Sequence, residues 1–155
     1  MAEMEITVSR VAAFEPADGR LRLEDGTTCT IDRQNAGFEV WARLVQKSQQ
    51  HRWHLYVACD RSSRQLTSML PAAVHHVESV AADPSGGGLR VRFRRSHAIH
   101  VLKTSRDNAA ELRPVIEQAA TSGEPVLVTI SPRDMEIIDA RPAPAEEPPP
   151  PNTPN

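Results

Sequence analysis

The stretch Val8–Ala13, with the sequence VSRVAA, recurs as VESVAA at Val77–Ala82. Each copy is followed by a proline, Pro16 or Pro84, and then by a short segment in which leucine or valine alternates with arginine. The offset between the copies is about 70 residues, and a repeat of that period has to be identified before any fold is assigned. The sequence therefore predicts two units of the same topology in tandem.

The predicted units are residues 5–71 and 74–142, and each contains three strands, a helix and two further strands. In the first unit we expect strands near 5–14, 20–25 and 27–32, a helix near 36–49, and strands near 53–59 and 64–70. In the second unit we expect strands near 74–82, 89–95 and 97–103, a helix near 109–122, and strands near 125–131 and 134–140. The segment 143–155 is rich in proline and has no apolar periodicity, so it is predicted to be a disordered tail.

The second strand of the second unit has the clearest pattern. Leu89, Val91 and Phe93 alternate with arginines, which predicts that the apolar side chains face the interior and the arginines face outward. The first strand has a different signal, because Val77 and Val80 are three residues apart and would face opposite sides of a regular strand. If both valines are buried, the strand carries a bulge or its two ends belong to different sheets.

The order of these elements resembles that of the OB-fold, a small five-stranded barrel in which a helix plugs one end between strands three and four. The resemblance is one of topology and covers residues 5–142. It implies a β-rich α+β protein made of two tandem OB-like barrels, each with one helix between its third and fourth strands. Two other architectures remain open: a pair of smaller α+β units, each with its helix across an open sheet, and a tandem pair of SH3-like barrels.

The composition excludes several classes of protein. Hydrophobic residues make up 39% and charged residues 25% of the 155 residues, which is typical of a globular protein. The formal net charge of −2 gives no overall attraction to nucleic acid or to acidic membranes. The acidic N-terminus lacks the apolar core of a secretory signal, and no apolar run approaches the roughly 18 residues of a membrane helix. We therefore expect a cytoplasmic protein with reduced cysteines.

The resemblance to the OB-fold implies a binding face on strands two and three. In the second unit this face would present Arg90, Arg92 and Arg94, with Arg95 and His100 beside them. Guanidinium groups spaced by two on a strand share one face and suit a phosphate backbone. A solvated outer strand, on which positive charge discourages aggregation, would explain the same pattern. The equivalent face of the first unit carries a mixed set: Arg20, Arg22, Glu24, Thr28 and Thr30.

The aromatic residues are expected to lie away from that face, although binding of single strands usually uses aromatic platforms. Phe93 and Trp53 face inward by strand parity, and Phe38 and Trp41 lie on the apolar stripe of a helix. Tyr56 is the one aromatic side chain that we expect at the surface.

The histidines do not predict a metal site. His51 and His54 have the same spacing as His97 and His100, but residues three apart on a strand face opposite ways. Only the first pair, at a helix-to-strand junction, could share an ion, and a zinc site needs three or four converging ligands. We expect no bound metal.

The two cysteines are expected to be inert. Cys29 and Cys59 fall on the inward parity of their strands, and buried thiols in apolar surroundings are packing residues. No base or oxyanion site accompanies either thiol, so the sequence predicts no catalytic nucleophile and no cofactor. The function predicted is a non-catalytic binding module for nucleic acid or a nucleoprotein. The alternative is a protein–protein adaptor that uses barrel edges, the groove between the barrels or the Pro-rich tail.

Overall fold

The structure is a computed structural model that describes residues 4–96 and 98–144. Within these residues the chain forms ten strands and two α-helices in the same order in each half. The first half contains β1 (Met4–Glu15), β2 (Arg20–Leu23), β3 (Thr28–Thr30), α1 (Phe38–His51), β4 (His54–Asp60) and β5 (Leu66–His75). The second half contains β6 (Val77–Ala82), β7 (Gly88–Phe93), β8 (Ile99–Lys103), α2 (Ala109–Ser122), β9 (Val126–Ile130) and β10 (Ile137–Pro142).

The strands form two antiparallel sheets in a β-rich α+β protein. One sheet has seven strands in the order β10-β9-β5-β4-β1-β2-β3, and the other has three strands in the order β6-β7-β8. Across the described residues, neither sheet is closed into a barrel by a continuous ladder of hydrogen bonds. The predicted order of elements, with a helix between the third and fourth strands of each half, is observed.

The seven-stranded sheet runs through both halves of the chain, so the two halves share a sheet, and the expected pair of closed barrels is not confirmed. The cause is the length of β5. Its first seven residues, Leu66–Ala72, pair with β4, and its last four, Ala72–His75, pair with β9 of the second half. Pro71 was expected to end the first unit, but it lies inside this strand, opposite Leu55. One strand therefore belongs to both halves.

Local sequence accounts for the turns and bends that were predicted. Asp25 and Gly26 form the turn between β2 and β3, where Gly26 has a φ of 92° that favours glycine. The first strand of the second half shifts register between Val77 and Ser79. This bulge allows both Val77 and the partly buried Val80 to contact the same core.

Each half buries its own hydrophobic core between its strands and its helix. The core of the first half is formed by Leu21, Leu23, Cys29, Ile31, Val45, Leu55, Val57, Cys59, Leu66 and Met69. The core of the second half is formed by Val77, Leu89, Val91, Phe93, Leu102, Leu112, Ile116, Ala119, Val126, Val128, Ile137 and Ala140. The continuous pairing of β4, β5 and β9 joins the two halves.

Two predictions fall on residues outside the described ranges. These are the expectation that His97 and His100 face opposite sides of their strand, because His97 is not described, and most of the Pro-rich tail, of which the structure describes only Ala143 and Pro144. Among the helices of the described chain, none has the length and apolar character needed to cross a membrane.

Candidate nucleic-acid interface

The central strand of the three-stranded sheet positions the predicted arginines. On β7 the side chains of Leu89, Val91 and Phe93 are buried, whereas Arg90 and Arg92 are exposed. The strand is flanked by β6 and β8, so both arginines lie on the outer face of a paired sheet. The alternation in the sequence therefore placed these two side chains on the correct face.

Arg94 and Arg95 follow the end of β7 and lie in the turn toward β8. Both are exposed, and Arg95 has a φ of 63°. The backbone N–H of Arg94 donates to the carbonyl oxygen of His76 at 2.9 Å, which ties the turn to the start of β6. The predicted row of three arginines on one strand is thus two arginines on the strand and two in the turn.

We call Arg90, Arg92, Arg94 and Arg95 the arginine surface. These four residues differ in whether they form an ion pair within the protein. The Nε of Arg90 lies 3.4 Å from a carboxylate oxygen of Asp83. Arg92, Arg94 and Arg95 form no ion pair with any residue that the structure describes. These three guanidinium groups therefore keep their charge available for a ligand.

His100 does not belong to the arginine surface, and its predicted position was wrong. It is 4% exposed, and its Nδ1 lies 3.2 Å from the carbonyl oxygen of Met135. The physical reason is the register between β7 and β8, in which His100 is directly opposite the buried Val91. Residues directly opposite each other share one face of the sheet, so His100 faces inward.

A pocket of about 440 Å³ beside the arginine surface was not predicted. Arg94 and Arg95 line it from one side, and His75 and His76 line it from the other. Burial, and then the charge of His100, lower the pKa of His75 from its usual range. Antiparallel pairing of Val77 with Phe93 brings His75 and His76 close to Arg94 and Arg95. That register could have been inferred from the hydrophobic pattern.

Side chains without charge border the two arginines of β7. Ser79, Ala81 and Ile99 border Arg90 and Arg92, and Ile99 is 41% exposed. No aromatic side chain of the described chain lies on this face. The face can thus attract phosphates but offers no ring on which a base could stack.

The equivalent surface of the first half carries charges of both signs. Arg20 and Arg22 are exposed on β2 as expected. Arg64, beside them, forms an ion pair with Glu5, and Glu24 lies 3.5 Å from Arg52. Of the mixed set predicted for this half, Glu24 takes part in an ion pair, whereas Arg20 and Arg22 form none with a residue that the structure describes.

A second concave surface lies where the two halves meet. This seam pocket has a volume of about 570 Å³ and is lined by residues of β1, the α1–β4 junction, β5, β9 and the chain after β10: Arg10, Arg52, Trp53, His54, Pro71, Ala72, Ala73, Val74, Leu127 and Pro144. Its walls are mostly apolar, with basic side chains among them.

The burial of the two aromatic residues near the seam pocket, Trp53 and Tyr56, is the reverse of the prediction. Trp53 is 39% exposed because β4 begins one residue later, after Arg52 ends α1 in the left-handed conformation. Tyr56 was expected at the surface but is buried, and its pKa is raised by this burial and then by Asp139 of the second half. The second half thus covers Tyr56, whereas Trp53 is left at the mouth of the seam pocket.

The cysteines lie where strand parity predicted. Cys29 and Cys59 are both buried free thiols. Burial, followed by the neighbouring Cys59, raises the pKa of Cys29 to about 12, so its thiolate is scarce at neutral pH. Among the described residues, no three His, Cys, Asp or Glu side chains converge on a possible metal position.

Comparison of the chain with known protein families, with curated proteins and with solved structures gave no significant match.

Proposed function

We propose that the protein is a non-catalytic binding module that associates with single-stranded nucleic acid, free or in a nucleoprotein, through the arginine surface. The observation that carries this proposal is the group of Arg92, Arg94 and Arg95, which lie close together along the chain, are exposed and form no ion pair with a described residue. Release of counterions from a phosphate chain favours its binding to such a group. The high pKa of Cys29 also argues against a thiol nucleophile.

The geometry suits a phosphate backbone rather than bases. Arg90 and Arg92 are two residues apart on a strand, which separates their Cα atoms by about 7 Å along it. Arg94 and Arg95 continue the positive charge around the turn to the pocket beside His75. Because no aromatic ring of the described chain lies on this face, we expect binding that tolerates any sequence and weakens steeply with salt.

The decisive experiment removes the three available charges from the full chain. Arg92 and Arg94 are changed to Ser, and Arg95 to Asn, which tolerates the left-handed conformation at that position. We expect affinity for a single-stranded oligonucleotide at low salt to fall at least tenfold. The salt slope should fall by about 0.7 for each phosphate that the variant no longer binds.

The matched control removes three exposed arginines elsewhere: Arg20→Ser, Arg22→Ser and Arg43→Ser. It changes the net charge by the same amount, so it should weaken binding only slightly if the arginine surface is the interface. An equal loss of affinity in both triple variants, or no binding by the parent chain at low salt, would contradict the proposal.

We also propose that each half is an OB-like unit and that the two arose by internal duplication. In the first half the ladder β3-β2-β1-β4-β5 has β3 and β5 at its ends, and a barrel closes where such ends meet. A parallel bridge between Thr30 and Gln65 joins these ends. In the second half the bridge between Val101 and Glu136 joins β8 to the start of β10 in the same way.

A second candidate function is that of a protein–protein adaptor, and the seam pocket favours it. An exposed Trp53 beside apolar walls is the kind of anchor that peptide-binding grooves use. Retention of a protein partner that resists high salt and is lost on Trp53→Ala would favour this function. Retention that is lost at high salt and unaffected by Trp53→Ala would favour the nucleic-acid interface.

A further inference from the structure

The seam pocket has an occupant available within the same chain. Its apolar wall is formed by Trp53, Pro71, Val74 and Leu127, and both Trp53 and Val74 are strongly exposed, at 39% and 52%. Pockets that bind ligands are concave, largely apolar and furnished with a few polar groups. This pocket has that composition, because Arg10, Arg52 and His54 also line it.

The described chain ends at this pocket. Strand β10 finishes at Pro142, and the N–H of Ala143 donates to the carbonyl oxygen of Pro125 at 3.3 Å. The next residue, Pro144, is itself part of the pocket lining. The segment 145–155, with the sequence AEEPPPPNTPN, therefore starts from the pocket and does not have to reach it from a distance.

The chemistry of this segment matches the pocket in two ways. Pro148–Pro151 are four consecutive prolines, which favour the polyproline II conformation and bring no backbone N–H groups that burial would leave unpaired. Such segments dock in grooves lined by aromatic side chains, and Trp53 supplies one. Glu146 and Glu147 precede the prolines and are opposite in charge to the arginines of the lining.

The reach is also sufficient. At about 3.1 Å per residue, the three residues after Pro144 can span roughly 9 Å and the four prolines roughly 12 Å more. We propose that the segment 145–155 binds in the seam pocket of its own chain, with its prolines against Trp53 and its glutamates beside Arg10 and Arg52. A partner peptide would compete with this segment for the same pocket. A tether of this length gives an effective concentration in the millimolar range, so weak contacts suffice.

The experiment follows the indole N–H signals of the full-length chain by NMR. The chain has two tryptophans, and Trp53→Phe assigns the signals. Trp41, partly buried against the core of the first half, is the internal reference. Changing Pro148–Pro151 to Ser is expected to shift the Trp53 signal and leave the Trp41 signal in place. Glu146→Gln with Glu147→Gln should shift it in the same direction, and Pro154→Ser, outside the proline run, should leave it unchanged.

A nitroxide at Asn152→Cys tests proximity directly. Because Cys29 and Cys59 are buried, the parent chain should take up no label and serves as the labelling control. We expect stronger broadening of the Trp53 signal than of the Trp41 signal. Mixing labelled chain with isotope-enriched unlabelled chain should produce no broadening, because the contact is within one chain.

Two results would overturn the proposal. A Trp53 signal that is insensitive to the proline and glutamate changes would show that the pocket is open in the full chain. Broadening that also occurs in the mixed sample would assign the occupant to a second copy of the chain. A synthetic peptide of residues 145–155, added to the variant without the proline run, should restore the Trp53 shift only at about millimolar concentration.

Discussion

The imidazole of His75 stacks on the phenyl ring of Phe93, with ring centroids 4.7 Å apart and planes inclined by 25°. Phe93 is fully buried and also contacts His100, at 5.3 Å between centroids. His75 is the last residue of β5, the strand shared by both halves, so this stack ties the shared strand to the core of the second half. A half-buried histidine in this position makes the stability of the protein sensitive to pH.

Burial, followed by the charge of His100, lowers the pKa of His75 below its ordinary value of 6.5. The unfolded chain therefore binds more protons than the folded chain just below pH 6.5, and the free energy of unfolding falls as the pH drops through that window. We expect His75→Gln to flatten this fall, measured by urea unfolding between pH 7.5 and about 5. His76→Gln, at the exposed neighbouring position, is the control and should leave the slope unchanged.

Gly88 is required by the close approach of β7 to β8. A Cβ atom at Gly88 would lie 2.1 Å from the carbonyl oxygen of Leu102, and backbone atoms cannot move aside as a flexible side chain does. We expect Gly88→Ala to lower the free energy of unfolding by about 1–3 kcal/mol. Gly87→Ala is the matched control, because its Cβ would meet only the hydroxyl oxygen of Ser85 at 3.4 Å. Equal effects of the two changes on the free energy of unfolding would show that a Cβ atom at position 88 fits without strain.

The thiol of Cys29 should be unreactive at neutral pH. Its raised pKa should also make the fold less stable in alkali. Its pKa of about 12 lies above its ordinary value of 9.0, so the folded chain holds the proton that the unfolded chain loses above pH 9. The free energy of unfolding therefore falls as the pH rises from 9 toward 12. Cys29→Ala should reduce this fall. Rapid alkylation of Cys29 in the folded chain at pH 7 would contradict the burial on which the expectation depends.

Sequence reasoning succeeded where a short-range pattern decides the outcome. Alternation along β7 placed Arg90 and Arg92 outside and Val91 inside, and Asp25 with Gly26 marked a hairpin. It failed where the structure depends on pairing between segments that are distant in the sequence. The membership of β5 in both halves depends on its pairing with β9, 51 to 57 residues further along the chain, and Pro71, which was expected to close the first unit, lies inside that strand.

The candidate site was only partly predictable for the same reason. The position of His100 on the third strand suggested that it joins the binding face, but its register against Val91 turns it inward. Trp53 was assigned by parity to a strand that begins one residue later. The neighbours of Arg94 and Arg95 in their pocket, His75 and His76, become visible only when β6 and β7 are paired.

The ion pair between Arg90 and Asp83 gives a test in which binding should improve. The carboxylate of Asp83 lies 3.4 Å from Arg90 and also accepts a hydrogen bond from Ser85, a bond that an amide oxygen can also accept. Asp83→Asn removes the competing charge and makes Arg90 available for a phosphate. Exposed ion pairs contribute about 0.2–1 kcal/mol, so affinity for a single-stranded oligonucleotide should rise by up to about fivefold.

The salt dependence of binding by Asp83→Asn distinguishes a new phosphate contact of Arg90 from a general effect of net charge. If Arg90 then binds a further phosphate, the salt slope should steepen by about 0.7, because one more counterion is released. Asp107→Asn, at an exposed carboxylate before α2, changes the net charge equally and should leave the slope as it is. Equal increases in affinity in both variants would mean that net charge alone acts. No increase in either would place Arg90 outside the interface and confine binding to Arg92, Arg94 and Arg95.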